Sequence, residues 1–124
     1  MPARRLAAFR FAFEGLAYML RTQPHARIHL LATVVVVGMG WWLGVDATGW
    51  ALLALSIGLV WAAEALNTAV EAVVDLVSPA RHPLAKAAKD AAAAGVLLAA
   101  VAAAVVGMLV LGIPLWRWWL GRAW

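Results

Sequence analysis

Three carboxylates and an amide interrupt an otherwise apolar run, "WAAEALNTAVEAVVD" at residues 61–75: Glu64, Asn67, Glu71 and Asp75. At about 100° per residue these four, with Thr68, share one helix face about 100° wide and three turns long. This is a ladder and not a scatter. A single charge at the centre of a bilayer costs roughly 2.5–3.5 kcal/mol on insertion scales, so the ladder needs partners or a task. A second polar group, "KAAKD" at 86–90, opens the next apolar helix, with Lys86 one turn from Asp90 and Lys89 beside it. The short loop "SPARHP" (78–83) joins the two helices, so the ladder and the Lys–Asp cluster are expected to face each other.

Carboxylates and an Asn amide are hard oxygen ligands, suited to magnesium and not to zinc. Magnesium usually arrives with a phosphate. Lysines beside it neutralise charge that develops on a transferred phosphoryl group, and a remaining carboxylate can take the proton of an attacking alcohol. The chain has neither a GxxxxGK[ST] loop nor a kinase-type glycine loop, so metal and side chains alone would hold the phosphates. Blander readings stand beside this one. Carboxylates at a helix end also serve as a solvated cap, Asp90 suits a helix start or a pair with Lys86, and Lys86 suits a loop. His25, His29 and His82 lack paired ligand spacing and read as surface or interfacial residues. Asp46 reads as a turn residue.

Elements that could position this chemistry must live in lipid. Of 124 residues, 66% are hydrophobic, and the mean hydropathy is +0.89. A soluble fold this small cannot hide so much apolar surface. Residues 3–21 place Phe9, Phe13, Leu16 and Leu20 at helical spacing and read as an amphipathic helix in the headgroup layer. The charge at Glu14 and the absence of a long apolar stretch before it argue against a signal peptide. "RTQPHAR" (21–27) is a break, because Pro24 disfavours helix at Gln23. Residues 28–45, 50–77 and 84–113 are three spanning candidates. Pro114 is expected to end the third, leaving 114–124 as an aromatic and basic tail. The eight tryptophans read as interface anchors. No internal repeat or flexible linker divides the chain, which reads as one membrane-embedded domain.

The net charge of +4 follows topology. Arg4, Arg5, Arg10, Arg21 and Arg27 precede the first span, and Arg81, Lys86 and Lys89 lie between the second and third. Three spans put both groups on one side, which the positive-inside rule makes the cytoplasm; Arg117 and Arg122 fall outside. No basic patch interleaved with aromatics suggests nucleic acid. The absence of cysteine excludes disulfides and thiolate metal sites.

"EALNTAVEAVVD" followed by "AKAAKDAAAAGVLL" resembles the small bacterial integral-membrane lipid kinases, the diacylglycerol kinase and undecaprenol kinase family. The resemblance runs from about Arg4 to Gly107, with weaker support from "RIHLLA" (27–32) and "WLGVDA" (42–47). It implies an all-α membrane protein: an interfacial helix plus three spans, assembled as a homotrimer with active sites shared between subunits. It implies a bacterial inner-membrane location with a cytoplasmic active site. It also implies transfer of the γ-phosphate of Mg·ATP to a lipid hydroxyl, giving phosphatidic acid or undecaprenyl phosphate.

Carried over by residue, the resemblance makes Glu64 the base that activates the lipid hydroxyl, with Asn67 supporting it. Glu71 is a metal ligand near the ATP phosphates, and Lys89 and Asp90 bind the nucleotide, with Lys89 on the phosphates. Asp75 and His82 line the nucleotide side, and Arg4 lies near the lipid headgroup. Gln23 stands where the family has a second metal-binding glutamate, so it brings an amide oxygen without charge. Ala93 replaces another polar residue of the family. Two other readings remain: a small proton-coupled transporter or channel subunit using intramembrane carboxylates, and an inactive membrane-assembly protein if Gln23 marks lost catalysis.

Overall fold

The computed structural model describes residues 2–122, with side chains described for 7–121. The chain is helical almost throughout: α1 (Pro2–Thr22), α2 (Pro24–Leu43), α3 (Ala47–Val77), α4 (Pro83–Gly107), a π-helical turn (Met108–Gly112) and α5 (Ile113–Arg122). Three helical stretches, Pro24–Leu43, Ala47–Val77 and Pro83–Gly121, are long and apolar enough to cross a membrane. Large apolar side chains such as Leu31, Leu55 and Leu98 are about two-thirds exposed along them, as lipid-facing surfaces should be.

The break between α1 and α2 is a single residue, shorter than the seven-residue interruption that the sequence suggests. Gln23 is extended (φ −110°, ψ 110°) and Pro24 opens α2, the position where a missing N–H costs nothing. The Arg27 guanidinium donates to the carbonyls of Leu20 and Arg21 at 2.9 and 3.0 Å. It thereby satisfies orphan carbonyls at the α1 C-terminus and fixes the elbow.

At the far end, α2 stops at Gly44, whose φ of +66° is left-handed and therefore suits glycine. Asp46 is more than a turn residue: its Oδ1 accepts from Gly49 N–H at 2.8 Å and caps α3. Helix α3 consequently begins at Ala47, three residues before the expected start. Trp41 and Trp50 meet across this turn with centroids 6.0 Å apart.

The third span does not end at Pro114. The helix passes through the π turn into α5, which carries the tryptophan-rich segment. A proline in an α-helix clashes with the carbonyl four residues earlier; the wider π turn just before Pro114 relieves that clash without ending the helix. Trp118 of α5 then packs edge-on against Trp42 of α2, centroids 4.9 Å apart, so the segment expected as a tail is docked. Trp124 lies outside the described residues.

Helices α3 and α4 form the main packed pair, with α2 and α1 against α3. The apolar interior is small: Met19, Ala26, Leu53, Val60, Ala99 and Leu111. Among the described residues the buried polar side chains are Glu64, Asn67 and Thr68. The Glu64–Thr68 part of the ladder therefore lies inside the bundle, whereas Glu71 is half-buried and Asp75 exposed.

Candidate active site

Glu64 is the most enclosed ladder residue, 1% exposed. Thr68 Oγ1 donates to the Glu64 main-chain carbonyl at 2.9 Å, using the i−4 back-bond available to a helical threonine. Across from the carboxylate stands His29 of α2, its Nε2 3.6 Å from Glu64 Oε2. The sequence reading placed His29 on the surface or interface. Its side chain is only 18% exposed and faces the ladder. Spacing within one helix could not reveal this, because its partner lies on another helix.

Two turns along α3, Glu71 is held by two amides. Gln23 Nε2 donates to its Oε2 at 2.8 Å, and Asn67 Nδ2 reaches its Oε1 at 3.4 Å. Gln23 thus sits against the proposed metal ligand, brought there by the α1–α2 elbow. Asn67 Oδ1 is buried with no hydrogen-bond partner, and a buried acceptor left in that state calls for a ligand or water. A free amide oxygen beside a carboxylate suits a hard cation. Among the described residues no group of three or more His, Asp or Glu side chains gathers to hold a metal. A magnesium ion here would rest on Glu71 and Asn67 and complete its shell with phosphate oxygens and water, its usual habit.

Asp75, one turn further on the same face, meets α4 instead. Lys89 Nζ donates to Asp75 Oδ1 at 2.5 Å, and Lys86 pairs with Asp90 along α4. The facing of ladder and Lys–Asp cluster is therefore met at Asp75 alone. Glu64, Asn67 and Glu71 turn instead toward α2 and the elbow. Asp75, His82, Lys86, Lys89 and Asp90 line one open cleft of about 720 Å³ between the end of α3 and the start of α4. Arg81 lines it too, a loop cation that the sequence offered only as a topology signal. His82 spends Nδ1 on capping α4, accepting from Leu84 N–H at 3.1 Å, so only Nε2 remains for a ligand.

From Glu64 to Asp75 the ladder extends about 16 Å along the α3 axis. Glu64 does not line the cleft. Within one chain, Glu64 and the cleft are separate, with the Glu71 amide cluster between them. Arg4 falls in α1, but its side chain lies outside the described ones.

Comparison with known proteins shows the family of the chain. Residues 10–111 match the model of the family described as prokaryotic diacylglycerol kinase. The chain belongs to that family. It is 48% identical over 111 residues to a diacylglycerol kinase of Synechocystis, covering 89% of this chain and 63% of that protein. It therefore spans less than two-thirds of the length of that relative. It is 37% identical to the undecaprenol kinase of Bacillus subtilis over 86% of this chain and 87% of the relative. It is 34% identical to the diacylglycerol kinase of Escherichia coli, covering 87% and 88% respectively. The matched region of this prokaryotic diacylglycerol kinase family member takes in the whole ladder, the α3–α4 cleft and both residues of the elbow contact, Gln23 and Glu71.

Proposed function

We propose that this bacterial membrane protein is a lipid kinase that transfers the γ-phosphate of Mg·ATP to the hydroxyl of a membrane lipid alcohol, diacylglycerol or undecaprenol. The observation that carries the reading is the division of one helix face into three stations. Glu64 is a carboxylate enclosed in the membrane bundle, where a lipid hydroxyl arrives. Glu71 and Asn67 offer hard oxygens for magnesium. Asp75, Lys89 and their neighbours surround a cationic cleft at the water end.

In the mechanism, Glu64 accepts the hydroxyl proton as the lipid oxygen attacks the γ-phosphorus. The bond to the β-phosphate breaks and ADP leaves with the electron pair. Magnesium, when bound, neutralises phosphate charge. Lys89 is drawn from Asp75 to the phosphates, exchanging one carboxylate for a more highly charged partner. Asp90 keeps Lys86 in place, and His82 presents Nε2 to the nucleotide. Gln23 orients Glu71. Arg4, on the surface helix, lies near the lipid headgroup.

The family resemblance implies a homotrimer with active sites shared between subunits, and we carry that assembly over as part of the proposal. The active site then lies on the cytoplasmic side of the inner membrane, where ATP is available and the basic loops belong.

Labelled ATP, magnesium and each lipid alcohol, supplied in parallel to the detergent-purified protein, test the reading. Labelled phosphatidic acid or undecaprenyl phosphate is the expected product, and whichever forms names the acceptor. No labelled lipid with either acceptor defeats it. The transporter reading gives no task to the Lys89–Asp75 pair, and the relatives are named as kinases.

A further inference from the structure

A base that is 1% exposed has a difficulty that its chemistry creates. Each turnover leaves a proton on Glu64, and water cannot reach it directly. Intramembrane carboxylates solve this elsewhere with a titratable neighbour that relays the proton. Among the described residues, His29 is the one group within ion-pair distance of Glu64.

We propose that His29 is the proton-exit residue behind Glu64, a role that rests on the lipid-kinase reading. The geometry has three parts. Nε2 of His29 lies 3.6 Å from Glu64 Oε2, longer than a hydrogen bond, so the relay requires the contact to tighten in the loaded enzyme, as catalytic contacts often do. The imidazole is partly exposed where the carboxylate is not, 18% against 2% by side chain. The cavity of about 290 Å³ that it borders between α2, α3 and α4 is lined mostly by apolar residues and offers water few partners, so the proton leaves by the exposed edge of the ring and not through that cavity. His29 lies five residues into α2, about 8 Å from the helix start and on the same side of the membrane as the α3–α4 cleft.

The helix carrying it is pinned. Trp61 Nε1, on α3, donates to Thr33 Oγ1 at 3.0 Å, and Thr33 Oγ1 donates to the His29 carbonyl at 2.7 Å. This cross-helix link sets the register of α2 against α3 one turn from the His29–Glu64 contact.

Most charged groups on the surrounding elements have other partners. Arg10 pairs with Glu14 on α1. Glu71 on α3 is held by Gln23 and Asn67. Lys86 and Lys89 on α4 engage Asp90 and Asp75. Arg27 on α2 caps α1. His25, Arg21 and Tyr18 stand nearby in sequence and make no ion pair with either residue.

The balance is simple. The lipid O–H bond breaks and its proton goes to Glu64 Oε2, while the oxygen's electron pair forms the new bond to phosphorus. The proton then passes from Glu64 to Nε2 of neutral imidazole. The imidazolium releases one proton to water on its exposed side, and both groups return to their starting states.

The test uses full-length protein in lipid with Mg·ATP and whichever acceptor the wild type phosphorylates. His29→Gln retains a polar amide of similar reach but cannot carry a proton. His29→Ala leaves a hole beside the existing cavity. Both are expected to lose tenfold or more in kcat with the KM for ATP unchanged. Added imidazole should restore His29→Ala in proportion to its concentration and leave wild type unaffected. A His29→Gln enzyme with wild-type kcat overturns the relay, and so does a His29→Ala loss that imidazole never restores. If His29→Ala does not fold, His29→Gln alone decides. Wild-type protein that phosphorylates no lipid defeats the kinase reading itself, a result distinct from an active wild type with an indifferent His29.

Discussion

Gln23 Nε2 donates to Glu71 Oε2 at 2.8 Å, joining residues 48 apart in sequence. The contact brings the α1–α2 elbow onto the middle of the ladder. It also places an amide where the family resemblance implies a second carboxylate. A carboxylate–amide pair satisfies itself without a cation, whereas two carboxylates at this distance repel unless a cation lies between them.

Gln23→Glu should therefore make the protein more dependent on magnesium. Turnover should saturate at lower magnesium than in the wild type. The thermal unfolding midpoint should fall in chelator and recover when magnesium is returned. Titrating both variants with magnesium, by activity and by melting, measures this. Identical curves would show that position 23 does not contribute to metal binding here.

Glu64→Gln should leave the helix packed, since the amide is nearly isosteric, and remove the carboxylate proposed to take the lipid proton. Turnover should fall by about 10²–10⁴-fold, the usual contribution of a positioned general base. Nucleotide binding, measured by equilibrium titration, should stay close to wild type because Glu64 does not line the cleft. Retention of near-normal turnover would move the base elsewhere.

Lys89→Met should act at the opposite end of the ladder. It removes the ammonium that Asp75 holds. The expected effect is a rise in the KM for ATP of about tenfold or more, the worth of one charge-assisted hydrogen bond. Thermal stability should barely change, because the pair is solvent-accessible. Steady-state kinetics with ATP varied at fixed lipid separate this from a loss in kcat.

Gly40→Ala tests the hairpin between α2 and α3. A Cβ at Gly40 would lie 2.8 Å from Cη2 of Trp50, closer than packed carbons tolerate. The indole must shift, and destabilisation of about 1–3 kcal/mol is expected. Unfolding in detergent should show this, with KM values unchanged, because the turn is at the far side of the membrane from the cleft. Gly38→Ala, whose Cβ meets open space, is the matched control.

Much of the fold was legible because lipid imposes a coarse code. Long apolar runs must be helices when backbone groups have no water to bond, and three such runs are found. Helix boundaries were less legible. Asp46 caps α3 through its side chain. Arg27 shortens the break at Gln23 to one residue by bonding carbonyls six and seven positions back. Pro114 was read as a stop because proline breaks α geometry, and a π turn at Met108–Gly112 removed the reason to stop.

The sequence by itself determined the membrane class, the three spans, and the ladder of Glu64, Asn67, Glu71 and Asp75, because these follow from composition and from a period within one helix. Only the tertiary structure decided what each rung faces. Asp75 meets Lys89, Glu71 meets Gln23, and Glu64 meets His29. A helical period fixes the angle of a residue on its own axis. The rotation and register of the neighbouring helices, set here by the Gln23 elbow and the Trp61–Thr33 bond, fix what stands opposite.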